Sequence, residues 1–505
     1  MNGSNGARNG HRNPHLDTLQ WKIGLINSDG KYLTAETFGF KINASAPTLR
    51  KKQFWTLVQD TTEEVVYLKS HLNKYLAGDA QGNATADSDE KDQDTKFVLE
   101  YHKDGSGRWA FKNVVTGYYF GGAEDNLRCY EKLPTDREWW VGHLAVHPQV
   151  NLRNVNRKRY AHLDINDSEI HCNEIIPWGA DSLITIEFCE GKYGVKTCDG
   201  RYLHRDGQLV SERGADTLYT LEIRSGQFQG LAFRDCVGKY LTAVGPLATM
   251  RARNKVVTKD ELFTLTDSHP QATFIAHNGK MVSTKQGIDV TANQDEVTDR
   301  ETFQLEFDTS YSKWSVRTVD DKYWLQQSNG GIQATSMDAN ENTMFDLEWQ
   351  SDGKVALKAK NMYVTGKMNG ALYATSETVT NKEQFQMTLV NRPILVLRCD
   401  YGFVGFKSAS SNKLECNKSV YDLMQVEHGE NGTYYIKASN GRYWSISSDG
   451  SITAESDQPH AFIFEFHGYS KFAIKSNNGM YLKGEQNGLF GATARELKYA
   501  TLWEY

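Results

Sequence analysis

Three observations predict an all-β chain made of four domains of one kind. A phrase centred on Lys/Arg-Tyr-Leu recurs twelve times in the 505 residues. A large apolar residue follows each copy about twenty residues later. A proline-marked joint then returns at every third copy.

The clear copies of the phrase are Gly30-Lys31-Tyr32-Leu33, Asn73-Lys74-Tyr75-Leu76, Gly200-Arg201-Tyr202-Leu203 and Gly238-Lys239-Tyr240-Leu241. Asp321-Lys322-Tyr323-Trp324, Gly441-Arg442-Tyr443-Trp444 and Gly479-Met480-Tyr481-Leu482 continue the series, with degenerate copies at Tyr119, Tyr160, Met281, Tyr363 and Val404. The apolar rungs that follow are Trp55, Phe97, Trp140, Ile184, Tyr219, Phe263, Phe303, Phe345, Phe385, Met424, Phe464 and Trp503. Trp55 to Trp503 is 448 residues over eleven steps, a mean of about 41.

Within a repeat the signals are those of strands. Trp314-Ser315-Val316-Arg317 and Phe472-Ala473-Ile474-Lys475 alternate at period 2 and run into turns such as Asn478-Gly479. A second turn follows, as at Gly370 and Gly488. Two hairpins in about 40 residues make four strands. A WD40 blade has the same period, but no Trp in the chain is followed by Asp. The longer period is decisive. Pro148 to Pro270 is 122 residues and Pro270 to Pro393 is 123, three repeats each time. A propeller has no reason to mark every third blade. Three four-strand repeats per domain are the β-trefoil arrangement, six strands closing a barrel and three hairpins capping it, with no open edge.

The expected layout is a disordered tail over residues 1–19, then trefoils over 20–145, 146–267, 268–389 and 390–505. The joints Leu144–Pro148 and Leu389–Pro393 are short and apolar, so neighbouring trefoils should pack against each other. The tail has no apolar stretch of a secretory signal.

Composition narrows the function. With 25 Tyr, 22 Phe, 11 Trp and 42 Gly against 9 Pro, strands are favoured over helices. Mean hydropathy is −0.59 and no run of ~18 apolar residues occurs, so no membrane insertion is expected. A net charge of −6 argues against a nucleic-acid partner and requires any anionic partner to be met by local basic clusters. Seven scattered cysteines without a C-x-x-C read as reduced cytoplasmic thiols. No finger spacing or H-E-x-x-H appears, so no metal and no cofactor is expected. The absence of G-x-S-x-G, P-loop and G-x-G-x-x-G motifs argues against an enzyme. The basic clusters are Arg50-Lys51-Lys52, Arg157-Lys158-Arg159, Arg251-Arg253-Lys255-Lys259, and Lys471, Lys475 and Lys483.

The stretch Phe38-Gly-Phe40-Lys41-Ile-Asn43-Ala-Ser45-Ala-Pro-Thr48-Leu-Arg50-Lys51-Lys52-Gln53 resembles the first-domain signature of the fascin family. So do Gly24–Asn27, Lys31–Glu36, His147–Asn151, Thr291–Glu296 and the ending Leu502-Trp-Glu-Tyr505, and the likeness runs from about Leu25 to Tyr505. The resemblance implies a monomer of four trefoils that cross-links parallel actin filaments into tight bundles, in the cytoplasm, the cytoskeleton and actin-rich cell projections. It implies a main filament site in the cleft between the first and fourth trefoils, with Lys31, Glu36, Arg50, Lys51 and Lys52 from one side. Lys407, Lys471, Lys475 and Lys483 would come from the other, and Arg157, Lys158 and Arg159 would form a second surface. Lys407 stands where the family has an arginine, which keeps the point charge and loses bidentate geometry. Thr48 stands where the family has a regulatory serine, in the basic context that a protein kinase C-type kinase accepts. Two other classes use trefoils: carbohydrate- or heparin-binding proteins, suggested by the triplet Gln53-Phe54-Trp55, and cytosolic signalling scaffolds.

Overall fold

The computed structural model describes residues 18–505. Of the tail expected over residues 1–19, residues 1–17 lie outside the described residues; Leu19 already accepts a hydrogen bond from the Gln59 N–H (2.9 Å). The chain forms two compact units. One holds the described residues up to Pro177 together with Ile184–Thr266; the other holds Trp178–Leu183 and Asp267–Tyr505. Among the described residues, no helix is long and apolar enough to cross a membrane.

Each unit contains two β-trefoils. In the first trefoil the strands Gln20–Ile26, Trp55–Gln59, Val66–Ser70, Phe97–Tyr101, Arg108–Asn113 and Trp140–Leu144 pair in that order, and the last pairs back on the first. The ring is closed, so no barrel edge is left to recruit a foreign strand. Three hairpins cap it: Tyr32–Ala46, Tyr75–Ser88 and Tyr119–Glu131. The same ring and hairpins recur three more times, in the strands of 149–267, 271–389 and 394–504.

The rungs explain why the ring closes. Each faces a residue of the strand before it in antiparallel register, as Ile23 faces Trp55, Trp109 faces Trp140, Ala272 faces Phe303 and Phe472 faces Trp503. By this register the eleventh rung is Phe462, opposite Tyr434, and not Phe464. Phe464 lies two residues further on the same strand, so its side chain shares the buried face and satisfies the same spacing. Likewise the tenth copy of the phrase is Phe403, which pairs with Lys418, and not its buried neighbour Val404. The twelve rungs so defined are all fully buried. In eleven of the twelve hairpins a bulge follows the Tyr position, which turns the strand from barrel to cap.

Two further devices repeat with the rungs. In eight repeats a buried polar residue two before the rung anchors a turn: Gln53, Thr95, Glu138, Thr217, Glu261, Glu301, Thr343 and Glu383. Each accepts the backbone N–H three residues earlier at 2.8–3.1 Å, which fixes a tight turn leading into the barrel strand. The residue three after the rung is a glutamate in seven repeats, and it accepts the phenol of the repeat's tyrosine, as in Tyr202–Glu187 (2.6 Å) and Tyr443–Glu427 (2.7 Å). In six of these seven a lysine or arginine near the end of the preceding barrel strand covers the same ring, Lys437 over Tyr443 at 4.5 Å for example.

Inside each unit the two trefoils share one core. Apolar packing is continuous from Trp21 to Phe263 in one unit and from Ala272 to Tyr505 in the other. A tyrosine pins each joint. Tyr193 donates to the Gly142 carbonyl (2.7 Å) and accepts the Leu144 N–H (2.9 Å); Tyr434 accepts the Leu389 N–H (2.7 Å). Close packing at the joints 144–148 and 389–393 is therefore as the sequence predicts. The seven cysteines are free.

Glu261 is wholly buried and accepts from Asn254 Nδ2 (2.7 Å), Thr258 N (2.8 Å) and Thr258 Oγ1 (2.7 Å). Glu261→Ala leaves these donors without an acceptor and should cost about 2–3 kcal/mol, read as a lower denaturant midpoint. Glu261→Gln, which keeps an acceptor oxygen, should recover at least half of that loss.

Candidate functional site

The basic turn of the first repeat is built from beneath. Gln53 donates Nε2 to Thr34 Oγ1 (2.9 Å) and receives the Arg50 N–H on Oε1 (3.1 Å). Trp55 follows, its indole N–H on the Leu33 carbonyl (3.1 Å). With Gln53 and Trp55 directed inward, Arg50, Lys51 and Lys52 are left exposed on the turn between them and Thr48. Leu49 holds the other end of this segment against the barrel, where a Cβ on Gly24 would come within 2.5 Å of Leu49 Cδ1.

Three neighbours tune this turn. Glu36 pairs with Lys52 (2.7 Å) and accepts from Asn43 Nδ2 (3.0 Å), and these two contacts hold its carboxyl below the usual range. The charge of Lys52 is thereby offset, while Arg50 and Lys51 face no carboxylate within 4.0 Å among the described residues. His71 stands beside the pair; burial, then the charges of Lys51 and Lys52, depress its pKa. Lys31 is half-buried at the Asn27–Lys31 turn, where its N–H donates to Asn27 Oδ1 (2.9 Å). Thr48 is half-buried.

The sequence reading missed Phe38. It sits on the loop between Glu36 and Lys41 and is 94% exposed, while neighbouring Phe40 lies under Lys74. Alternating burial gives no hint of an outward phenylalanine; the signal was an apolar residue inside a Gly-containing hairpin tip.

Comparing the eight anchored turns separates function from fold. Arg50, Lys51 and Lys52 sum to +3. The equivalent triplets beginning at Asp92, Thr135, Gly214, Thr258, Thr298, Asn340 and Thr380 sum to −2, 0, −1, 0, 0, −1 and +1. The anchor requires none of this charge, because a turn with two aspartates forms the same hydrogen bond.

The remaining expected residues differ in what holds them. Arg157 spends its guanidinium on the carbonyls of Ala243 (3.0 Å) and Gly245 (2.9 Å), so it braces the turn of a neighbouring hairpin. Lys158 is exposed at a left-handed turn position (φ 55°), and Arg159 opens the next strand. Lys407 is exposed in the Phe406–Leu414 loop. Lys475 covers the ring of Tyr481 (5.4 Å), in the same role as Lys437 over Tyr443. Lys483 pairs with Glu485 (2.9 Å). Lys471 begins the strand that Lys475 nearly ends, so about 13 Å separates them at ~3.3 Å per residue. The four lysines of the last trefoil thus occupy a cap loop, a cap hairpin and both ends of one barrel strand.

Fold and site define a class: a tandem β-trefoil protein that displays charge on turns whose geometry is set from inside. The chain belongs to the fascin family. The Fascin domain model matches it four times, over residues 29–141, 150–265, 277–387 and 404–505. It is 43% identical to Fascin-2 of Bos taurus, over 96% of this chain and 98% of that one. It is 37% identical to the Fascin of Strongylocentrotus purpuratus over 96% and 99%, and 26% identical to Fascin-3 of Mus musculus over 98% and 99%.

A depressed His71 pKa has a direct readout. Its imidazole resonance should titrate with a midpoint below the ordinary 6.5. The midpoint should rise in the Lys51→Ala/Lys52→Ala variant, because removing nearby cations favours the protonated ring. An unchanged midpoint would mean that the lysines do not face His71.

Proposed function

We propose that the protein binds actin filaments and bundles them as a monomer bearing at least two filament sites. Membership of the fascin family supports the general reading. The observation that carries the site is the +3 turn of the first repeat, set against seven equivalent turns of −2 to +1. An acidic filament surface would be drawn to such a turn, while the net charge of −6 limits indiscriminate binding to polyanions. Lys31 and Glu36 border this contact and Phe38 adds an apolar one. Lys407, Lys471, Lys475 and Lys483, with Lys158 and Arg159, supply further contacts. Of these, Lys407 and Lys158 are exposed, and Lys475 has a structural duty as well. Several weak contacts on one particle gain avidity along a filament.

Regulation follows from the same turn. A phosphate on Thr48 from a protein kinase C-type kinase adds about −1.5 to −2 charge, within two to four residues of Arg50, Lys51 and Lys52. That offsets about half to two thirds of their sum. The protein would work in the cytoplasm, on the actin cytoskeleton and in actin-rich cell projections.

A glycan-binding reading has no comparable support. Trp55 of the Gln53-Phe54-Trp55 triplet is fully buried and cannot stack on a sugar.

Paired sedimentation with actin filaments tests the reading. The wild-type protein should bring filaments into the low-speed pellet. Lys51→Glu/Lys52→Glu should weaken filament binding by about tenfold, or about 1.4 kcal/mol, with an unchanged melting temperature. Thr48→Glu should lower the low-speed pellet in the same direction, and an undiminished pellet removes the switch. Phe38→Ala should reduce bundling without affecting stability, since Phe38 has almost no native packing to lose. Filaments found only in the high-speed pellet would indicate a single competent site and overturn bundling.

A further inference from the structure

Outside the basic surfaces, the hairpin that opens the second trefoil gathers groups with a different chemistry. His171 lies on the strand Glu169–Glu174, with 1% of its side chain exposed, and its Nε2 has no hydrogen-bond partner. Two carboxylates face that nitrogen, Glu169 Oε2 at 3.5 Å and Asp167 Oδ2 at 3.7 Å. Asp164 Oδ2 lies 3.7 Å from the other ring nitrogen, Nδ1. Ligand atoms of Asp164, Asp167 and His171 all fall within 4.8 Å of one another.

The local sequence Asp164-Ile-Asn-Asp167-Ser-Glu169-Ile-His171 explains the arrangement. Asp164 and Glu169 are cross-strand partners, and His171 pairs with His162 two rungs down the same hairpin face. Asp164 spends Oδ1 on the N–H groups of Asn166 (2.9 Å) and Asp167 (3.2 Å), which bends the turn and leaves Oδ2 toward the histidine. Thr249 Oγ1 donates to Glu169 Oε2 (3.2 Å) and orients it. The Arg201 guanidinium reaches Ser168 Oγ (2.6 Å) but is paired with Asp199 (2.7 Å), so it does not enter the group.

Three carboxylates around one buried imidazole, two of them at its unpartnered nitrogen and one at the other, repel one another unless a cation stands between them. Two ligands that each sit about 2.0–2.2 Å from a tetrahedral zinc ion are roughly 3.4 Å apart, close to the separations at Nε2. We propose that this hairpin binds a divalent transition-metal ion, zinc foremost. The ligands are His171, Asp167 and Asp164, whose ligand atoms all lie within 4.8 Å of one another, and Glu169, oriented by Thr249, stands beside them as an outer-shell carboxylate does. The expectation of no metal rested on zinc-finger and H-E-x-x-H spacings; this site uses carboxylates on a β-hairpin, which neither pattern covers. An ion here ties the turn to the strand and stabilises the hairpin by mass action.

The test uses the full-length protein after chelator treatment. Titration with ZnCl2 by calorimetry should give saturable binding near one ion per chain, and about a hundredfold excess over Kd should raise the melting temperature by several degrees. Asp164→Asn and Asp167→Asn, which remove the charge and keep a side-chain oxygen, should each weaken binding about tenfold or more, with apo melting temperatures within about one degree of wild type. Cobalt(II) in place of zinc should give visible absorption bands in the wild type that fade in both variants. Binding that these variants leave intact would put the ion elsewhere, on the cysteines for instance, and overturn the proposal. So would the absence of saturable binding. Should His171 instead titrate as a cation held by the three acids, with no metal effect on its resonance, the cluster is an ion-pair group and the proposal also fails.

Discussion

Eight of the twelve rungs arrive through a tight turn, and a turn buried at its inner side leaves an amide that must find an acceptor. The residue two positions before the rung meets that need in eight repeats with whatever polar side chain is long enough: threonine, glutamine or glutamate. Once the amide is satisfied, the rung is aimed at the core, the strand register is set and the ring can close. An unsatisfied amide at this point would cost about as much as a small core cavity. The anchor and the rung therefore act as one device, repeated through the first three barrels.

Because geometry is settled from within, the outward residues of each turn are released from structural duty. Evolvable charge then collects where it is structurally cheap. The first repeat fills its turn with three cations, the second with two aspartates, and both make the same internal hydrogen bond. The lysines that close barrel strands are different. Their stems lie over a tyrosine ring whose hydroxyl is held by glutamate, and removing one disturbs a hairpin as well as a surface. A lysine count over the surface mixes these two kinds.

Much of this was legible in the chain. The phrase and the rungs have period about 41 because each repeat must deliver one buried residue to one barrel position, and burial restricts residue type. Phe464 and Val404 show where the reading slipped: apolar residues share a face every second position, so spacing alone cannot distinguish Phe462 from Phe464. The polar anchor was invisible because Gln, Thr and Glu share no hydropathy, only an acceptor oxygen. Arg50, Lys51 and Lys52 stood out as a run, whereas the carbonyl duty of Arg157 depends on a partner some ninety residues away. Phe38 and the carboxylates around His171 became meaningful only when exposure and orientation were known.

The tyrosine-pinned joints have a mechanical consequence. Where two barrels share one continuous core and a phenol bridges their backbones, a pull on either barrel is borne by packed side chains loaded in shear, not by a linker paid out under tension. Compliance within such a pair is then that of a protein interior, which is close-packed and little compressible. Each pair should transmit strain as a stiff strut, and any yielding under load should begin in the hairpin loops and spare the joints.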